Sequence, residues 1–316
     1  METETETEPV GYNDLYRAIL GISIVSMVFI FITVLLYFLY RKNSSTRAEL
    51  LIYLCISTFF SSVSYILPWN TSSEFPTLCT FQGILMVIAE TGQYLWAGII
   101  GFHTRYSIIT YKDGNMKLSK KLRFIYWMIG FGFPIILSIV LYAIDRIGFK
   151  GPWCWIKIEE KGDILGQCLQ IFFYFIFFGS GVLNIILALS LFNYISKDER
   201  LNEAQKRKNR GLVCKMFRHP IILVVMILPT VIIRVLTREE MNSEGTEVVN
   251  TIGIIGISLF GVVSVFSYGF TCDFINMLKE IASNKSFLNL NESTDTINFN
   301  EDDMSNFKEL KLNLKG

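Results

Sequence analysis

The sequence predicts an all-α membrane protein, a seven-transmembrane helix bundle with a short amphipathic helix after span seven. Three observations carry that expectation. Of the 316 residues 51% are hydrophobic and 18% charged, with a mean hydropathy of +0.41, which is more apolar than soluble domains of this size. The apolar residues gather in runs of roughly 20, the length that crosses a hydrocarbon core about 30 Å thick. The charges lie between those runs and alternate in sign and density from one connection to the next.

The runs lie near 18–40, 50–68, 81–109, 124–144, 164–195, 221–236 and 248–272. Helices are expected throughout, because an isolated span must satisfy its own backbone hydrogen bonds in lipid. The third and fifth exceed one crossing, so they project or tilt. The sixth is the shortest and is expected to begin nearer Lys215. Segments 41–49, 111–123 and 196–218 hold three, five and eight Lys and Arg, whereas 69–80, 145–163 and 237–247 hold none, four and one. Positive charge marks the cytoplasmic side, so the acidic Glu-Thr repeat at the N-terminus is expected outside and the C-terminus inside. The first residues lack the basic start of a cleavable signal, and the first apolar run is long enough to be a span. The chain therefore divides into an extracellular N-terminus (1–16), a seven-transmembrane domain (17–272), a membrane-surface helix (273–283) and a disordered cytoplasmic tail (284–316).

Each segment has its own warrant. Phe274, Met277, Leu278 and Ile281 recur at helical spacing, as in a helix lying along the bilayer. Beyond it the chain is polar and rich in Asn, acidic at Glu301-Asp302-Asp303, with Ser293, Thr294 and Thr296 open to phosphorylation. Cys79 opens span three and Cys154 lies in the second outer loop. Both face an oxidising compartment, so a disulfide is expected between them. Cys55 and Cys168 are expected as buried apolar residues, and Cys272, at the cytoplasmic boundary, is a lipidation candidate.

Glu90 is the one acidic residue near mid-depth of a span, about 16 Å along helix three from Cys79 at about 1.5 Å per residue. Glu90, Gln93, Ala97, Gly101 and Thr104 form a small or polar stripe facing the bundle interior. An isolated charge there is costly, so Glu90 is protonated or hydrogen-bonded. Two readings stand: a ligand or switch contact, or a structural carboxyl tied to a neighbouring helix, for instance at Asn184. Pro134, Pro220 and Pro229 mark places where helices bend or begin.

Other seven-span chemistries fit less well. Span seven has no lysine for a retinal Schiff base, and His103 and His219 lack the acidic companions of a metal site. No enzyme, cofactor or metal is expected. A small-solute transporter is the main rival, with an orphan membrane scaffold beside it. Transporters show repeat symmetry and several buried ionisable groups, and the two halves of this chain show no repeat.

Four places carry a family resemblance. Cys79 is followed by Gln93-Tyr94-Leu95-Trp96, and the second outer loop reads Trp153-Cys154-Trp155-Ile156. Around span six stand His219-Pro220-Ile221 and Ile232-Ile233-Arg234. Span seven reads Leu259-Phe260-Gly261, then Ser264, then Tyr268-Gly269. In order and each in its span, these resemble the cyclic-AMP-receptor-like G-protein-coupled receptors, themselves distantly similar to the secretin class. The chain departs from that pattern at Phe260, Ser264 and Ile233, where the family usually carries amides. Thr104-Arg105-Tyr106 keeps the arginine and tyrosine of the triplet that ends span three in rhodopsin-class receptors, without its acidic residue. The resemblance implies a plasma-membrane receptor that binds an extracellular small-molecule or peptide ligand and activates a heterotrimeric G protein, with the lipid bilayer as its other partner and no nucleic acid. Candidate ligand or switch residues are Glu90, Gln93, Trp96, Trp155 and Arg234. Candidate G-protein contacts are Arg105, Lys206, Arg207, Lys208 and Arg210, although an ordinary positive-inside bias also accounts for the last four. Six outer cations (Arg146, Lys150, Lys157, Lys161, Arg234 and Arg238) stand beside as many acids, so cyclic AMP is not singled out as ligand.

Overall fold

The computed structural model describes residues 10–39, 46–67, 76–111, 118–150, 153–157 and 163–198, with scattered positions between 201 and 263. The chain divides into two compact units, Met1–Phe270 and Thr271–Gly316, and every described residue belongs to the first. Its elements are α1 (Val10–Leu39), α2 (Thr46–Ile66), α3 (Pro76–Tyr111), α4 (Lys120–Trp127), a π-helical turn (Met128–Gly132), α5 (Phe133–Ala143), strands β1 (Ile147–Lys150) and β2 (Trp153–Ile156), and α6 (Ile164–Lys197). These helices overlap the first five predicted spans. Four uninterrupted stretches, Glu49–Ile66, Pro76–Thr110, Lys120–Ala143 and Ile164–Lys197, are long and apolar enough to cross a membrane, and α1 contributes the shorter apolar stretch Ile19–Leu35. The predicted sixth and seventh spans, the helix at 273–283 and the tail lie almost wholly outside the described residues.

The α3 helix is the axis of this unit. It packs against α2, α5, α6, the π turn and both strands. Accordingly 78% of its most apolar window is buried, against 28% for Lys120–Ala143 and 39% for Ile164–Lys197. The two less buried rods expose Ile125, Ile129, Ile136, Ile139, Phe175 and Ile186, a surface suited to lipid rather than water. Cys168, expected inside, is exposed. Its position four residues after Ile164 and three before Ile171 puts it on the same outward stripe of α6.

The π turn has a sequence cause. Pro134 lacks an N–H, so it cannot bond the Gly130 carbonyl four residues back, and Phe133 N–H instead bonds the Met128 carbonyl, five back. The wider turn meets α3 at a double-glycine crossing. A Cβ on Gly130 would collide with the Trp96 indole, and one on Gly92 would lie 3.1 Å from both the Gly130 carbonyl and Ser57 Oγ. Trp96 is thereby seated with Leu50, Leu54, Ile99, Ile100 and Tyr126 in the seam of α2, α3 and α4.

The connection between α5 and α6 is an antiparallel hairpin with Gly148 opposite Trp155 and Phe149 opposite Cys154. The chain turns out of α5 into β1 at Asp145, whose φ of 55° lies in the left-handed region that Asp tolerates better than most residues.

Candidate functional site

Two ends of α3 hold the residues that the sequence singled out. At the first, Cys79 and Cys154 form a disulfide with a Cα–Cα distance of 5.2 Å, so β2 is bound covalently to the first turn of α3. One turn further on, the buried Gln82 amide donates to the carbonyls of Ser64 (2.9 Å) and Leu67 (3.2 Å), and its Oε1 accepts from Cys154 N–H (3.3 Å). One side chain thus joins α3, the end of α2 and the hairpin. Gly83 beside it admits the hairpin, because a Cβ there would strike Ile147.

The hairpin's far edge is fixed by charge. Arg146 pairs with Asp163 at 2.5 Å, both side chains at most 14% exposed, and Asp163 also caps α6 by accepting from Gly166 N–H. Lys157 pairs with Asp145 at 2.7 Å. Two of the six cations considered for a phosphate-bearing ligand are therefore engaged within the fold.

Below the hairpin, Trp155 lies edge-on to Phe173 at 5.1 Å and shares an apolar cluster with Tyr65, Met86, Val87 and Ile147. Tyr65 belongs to that cluster through its ring, and its hydroxyl donates to Glu90 Oε1. The structure thus brings Glu90 and Trp155 to one cluster, with Tyr65 between them. The carboxyl's interhelical tie runs to α2, not to Asn184, which donates to Ser180 within α6 and stands against Gly101. Gln93 is buried one turn on from Glu90, and Tyr94 meets Phe177 edge-on at 4.2 Å. Trp96 is not part of this group. Six residues beyond Glu90, it points about 120° away around the helix, into the seam where Tyr53 and Phe131 lie 4.8 and 5.1 Å from its ring. Arg234 lies outside the described residues.

At the other end, Arg105 Nε donates to Ser190 Oγ on α6 at 3.2 Å. The α6 helix does not run on into the basic stretch. It stops at Lys197, where Asp198 turns extended, and a new helical turn begins behind Asn202. There Gln205 N–H donates to Asn202 Oδ1 (2.7 Å) and Asn202 N–H to Gln205 Oε1 (3.3 Å), a reciprocal capping box. Asn209 and Val213 face inward, whereas Arg207, Arg210 and Cys214 are exposed. Leu201 and Val213 close over Ile108, Leu191 and Ile195. Lys206 pairs with Glu203 at 3.2 Å. Neither Lys208 nor Cys272 is among the described residues. A third polar tie joins α2 to α4 at this end: Arg123 bonds both oxygens of Glu49, at 2.8 and 3.0 Å, and Tyr53 donates to the same carboxylate.

Gln82, Tyr65 and the Asn202 cap were not singled out from sequence. The cap was legible as Asn-x-x-Gln, and the hairpin as two aromatic and β-branched runs flanking Gly151-Pro152. Nothing local marks Tyr65, whose role depends on a residue 25 positions away.

Comparison with known proteins gives one direction. Residues 15–263 match the model for seven-transmembrane receptors of the secretin family. The chain is 25% identical over 131 residues to G-protein coupled receptor 157 of Homo sapiens, covering 40% of this chain and 38% of that one. It is 23% identical over 174 residues to Latrophilin receptor-like protein A of Dictyostelium discoideum, covering 55% and 51%. It is 27% identical over 107 residues to Cyclic AMP receptor 2 of the same organism, covering 34% and 27%. The chain therefore spans about half or less of the length of these relatives.

Proposed function

Because the chain belongs to the seven-transmembrane receptor (secretin) family, we propose that it binds an extracellular ligand and activates a heterotrimeric G protein on the opposite face. The observation that carries the reading is the arrangement along α3. Its disulfide end meets a hairpin, an aromatic cluster and a buried carboxyl; at its other end Arg105 bonds Ser190, and the segment that closes over Ile108 exposes Arg207 and Arg210.

In this reading the basic end is cytoplasmic, the disulfide end and N-terminus are extracellular, and two further spans and the surface helix at 273–283 complete the domain. Trp153-Cys154-Trp155-Ile156 and the span-seven pattern favour a cyclic-AMP-receptor-like member. Glu90, Gln93 and Trp155 are the ligand-side candidates, joined by Arg234. Trp96 serves as the packing anchor of the α2–α3–α4 seam. Arg105, Arg207 and Arg210, with Lys206 and Lys208, face the G protein, and Cys272 is the lipidation candidate. A ligand works by differential affinity for two arrangements of the bundle. The same geometry lets a shift at Glu90 and Tyr65 pass between α2 and α3.

The test is nucleotide exchange on candidate G proteins with purified chain in lipid discs. A spectroscopic label on the exposed Cys214, with Cys168 and Cys272 replaced, reads motion at the same time. Exchange is expected to accelerate, the label to respond to G protein, and Arg207→Gln with Arg210→Gln to slow exchange several-fold. Substrate uptake into proteoliposomes, with a label silent to every G protein, would return the transporter reading.

A further inference from the structure

We propose that the first turn of α4 is a docking site for an anionic phospholipid headgroup, held by Lys120 and Lys121. The proposal rests on the chain being a multi-pass membrane protein and is independent of G-protein coupling.

The site begins with an imbalance of charge. Lys120 and Lys121 are both exposed, and among the described residues neither has an ion pair. Glu49, the acid that the described residues place against this helix, is already engaged: both its oxygens bond Arg123, and Tyr53 donates to it as well. Among the described residues, two cations at this corner of the bundle are therefore left without a carboxylate.

Their depth comes from the residues that follow. Phe124 is 65% exposed, and Ile125, Trp127, Met128 and Ile129 are exposed too, on a stretch that reads as lipid-facing. Phe124 and Trp127 stand four and seven residues after Lys120, and Ile125 and Met128 stand likewise after Lys121. Each lysine thus heads an apolar stripe that runs down the outside of the helix. At about 1.5 Å per residue the ammonium groups lie roughly 5–10 Å above the first apolar side chains. That is the headgroup layer, with Trp127 at the interface where aromatic belts form. Lysine stems lying on the apolar stripe bring their ammonium groups to lipid phosphates rather than to open solvent.

The occupant follows from these two features. A free phosphate would use the lysines and ignore the apolar stripe, and a neutral lipid would use the stripe and leave the lysines uncompensated. An anionic phospholipid uses both. Each lysine near such a surface adds about a few-fold to affinity, so the pair is worth about ten-fold after screening.

The structure also supplies a change in the opposite direction. Glu49 offsets Arg123, so Glu49→Gln would leave a third cation one turn from the pair. The experiment is native mass spectrometry of the full chain in detergent doped with equal amounts of phosphatidylcholine, phosphatidylserine and phosphatidylinositol 4,5-bisphosphate. Circular dichroism serves as the control for folding. Both anionic lipids are expected to be enriched over phosphatidylcholine. The double variant Lys120→Gln with Lys121→Gln is expected to lower that enrichment about ten-fold, and Glu49→Gln to raise it. Soluble inositol trisphosphate is expected to compete weakly. Unchanged enrichment in the double lysine variant overturns the site. Competition by inositol trisphosphate as strong as that of the lipid overturns the assignment to a membrane headgroup.

Discussion

At its disulfide end the described bundle is fastened by a covalent bond, a three-way buried amide and an ion pair with both partners largely out of solvent. At its basic end the polar ties include a half-exposed Arg123–Glu49 pair, an exposed Lys206–Glu203 pair and an Arg105–Ser190 bond, over a cluster of aliphatic side chains. The same helix, α3, passes through both. The contrast separates specific, desolvated interactions, which are lost abruptly, from dispersion contacts and solvent-screened charges, which re-form at small cost. A bundle braced this way is expected to hold its disulfide end more firmly than its basic end, which is what the proposed receptor function requires.

The contrast breaks most visibly at the disulfide. Cys79 and Cys154 are 75 residues apart, and closing a loop of that size constrains the unfolded chain by roughly 4 kcal/mol. Replacing both by Ser is expected to lower the thermal unfolding midpoint in detergent by many degrees. A shift of less than about 2 °C would show that the bond carries little of the fold. In wild-type protein, peptide mapping without reductant should recover the two cysteines joined.

Gln82 tests the same end without touching covalent structure. Gln82→Leu preserves bulk and leaves Cys154 N–H and two carbonyls short of a partner, a cost of about 2–3 kcal/mol. Hydrogen exchange at Cys154 should accelerate while exchange in the outward turns of α6 stays unchanged. Equal acceleration in both places would mean that the amide does not localise the bracing.

The smallest stability effect is expected at the basic end. Arg105→Gln removes one part-buried bond, and Arg123→Gln a pair whose side chains are 45% and 27% exposed. Each should cost less than about 1 kcal/mol. If the G-protein reading holds, Arg105→Gln nevertheless slows nucleotide exchange several-fold. A loss of stability as large as that of Gln82→Leu would erase the difference between the two ends.

Legibility in the sequence followed the range of the interactions. Helix positions, and the disulfide expected from topology, came from local hydropathy and the charge of the loops, and the described helices overlap the first five predicted spans. Cys168 was misplaced because a long apolar run does not say which side of a helix faces lipid. Glu90 is legible because a carboxyl within an apolar run is conspicuous by itself, but its partner is not, and Asn184 stood only as one instance, since no periodicity in one helix specifies which residue of another helix meets it. The end of α6 at Lys197 lies close to the expected end of span five at 195, but the helical turn that restarts behind Asn202 is not read from sequence, because its signal, Asn202 with Gln205, sits inside a charged stretch that reads as a loop.

The sequence alone determined that this chain must be helical and apolar, where its charges lie, and that Pro134 must disturb the helix that contains it, because each of these depends on neighbours within one turn or on transfer free energy. Only the tertiary structure decided that the disturbance at Pro134 becomes a π turn seated on Trp96, that Gln82 and not a charged residue ties three elements together, and that Tyr65 reaches Glu90. Those outcomes depend on where side chains from distant segments approach within a few ångströms, and close approach between elements is set by the small residues Gly83, Gly92, Gly101 and Gly130 as much as by any group that bears chemistry.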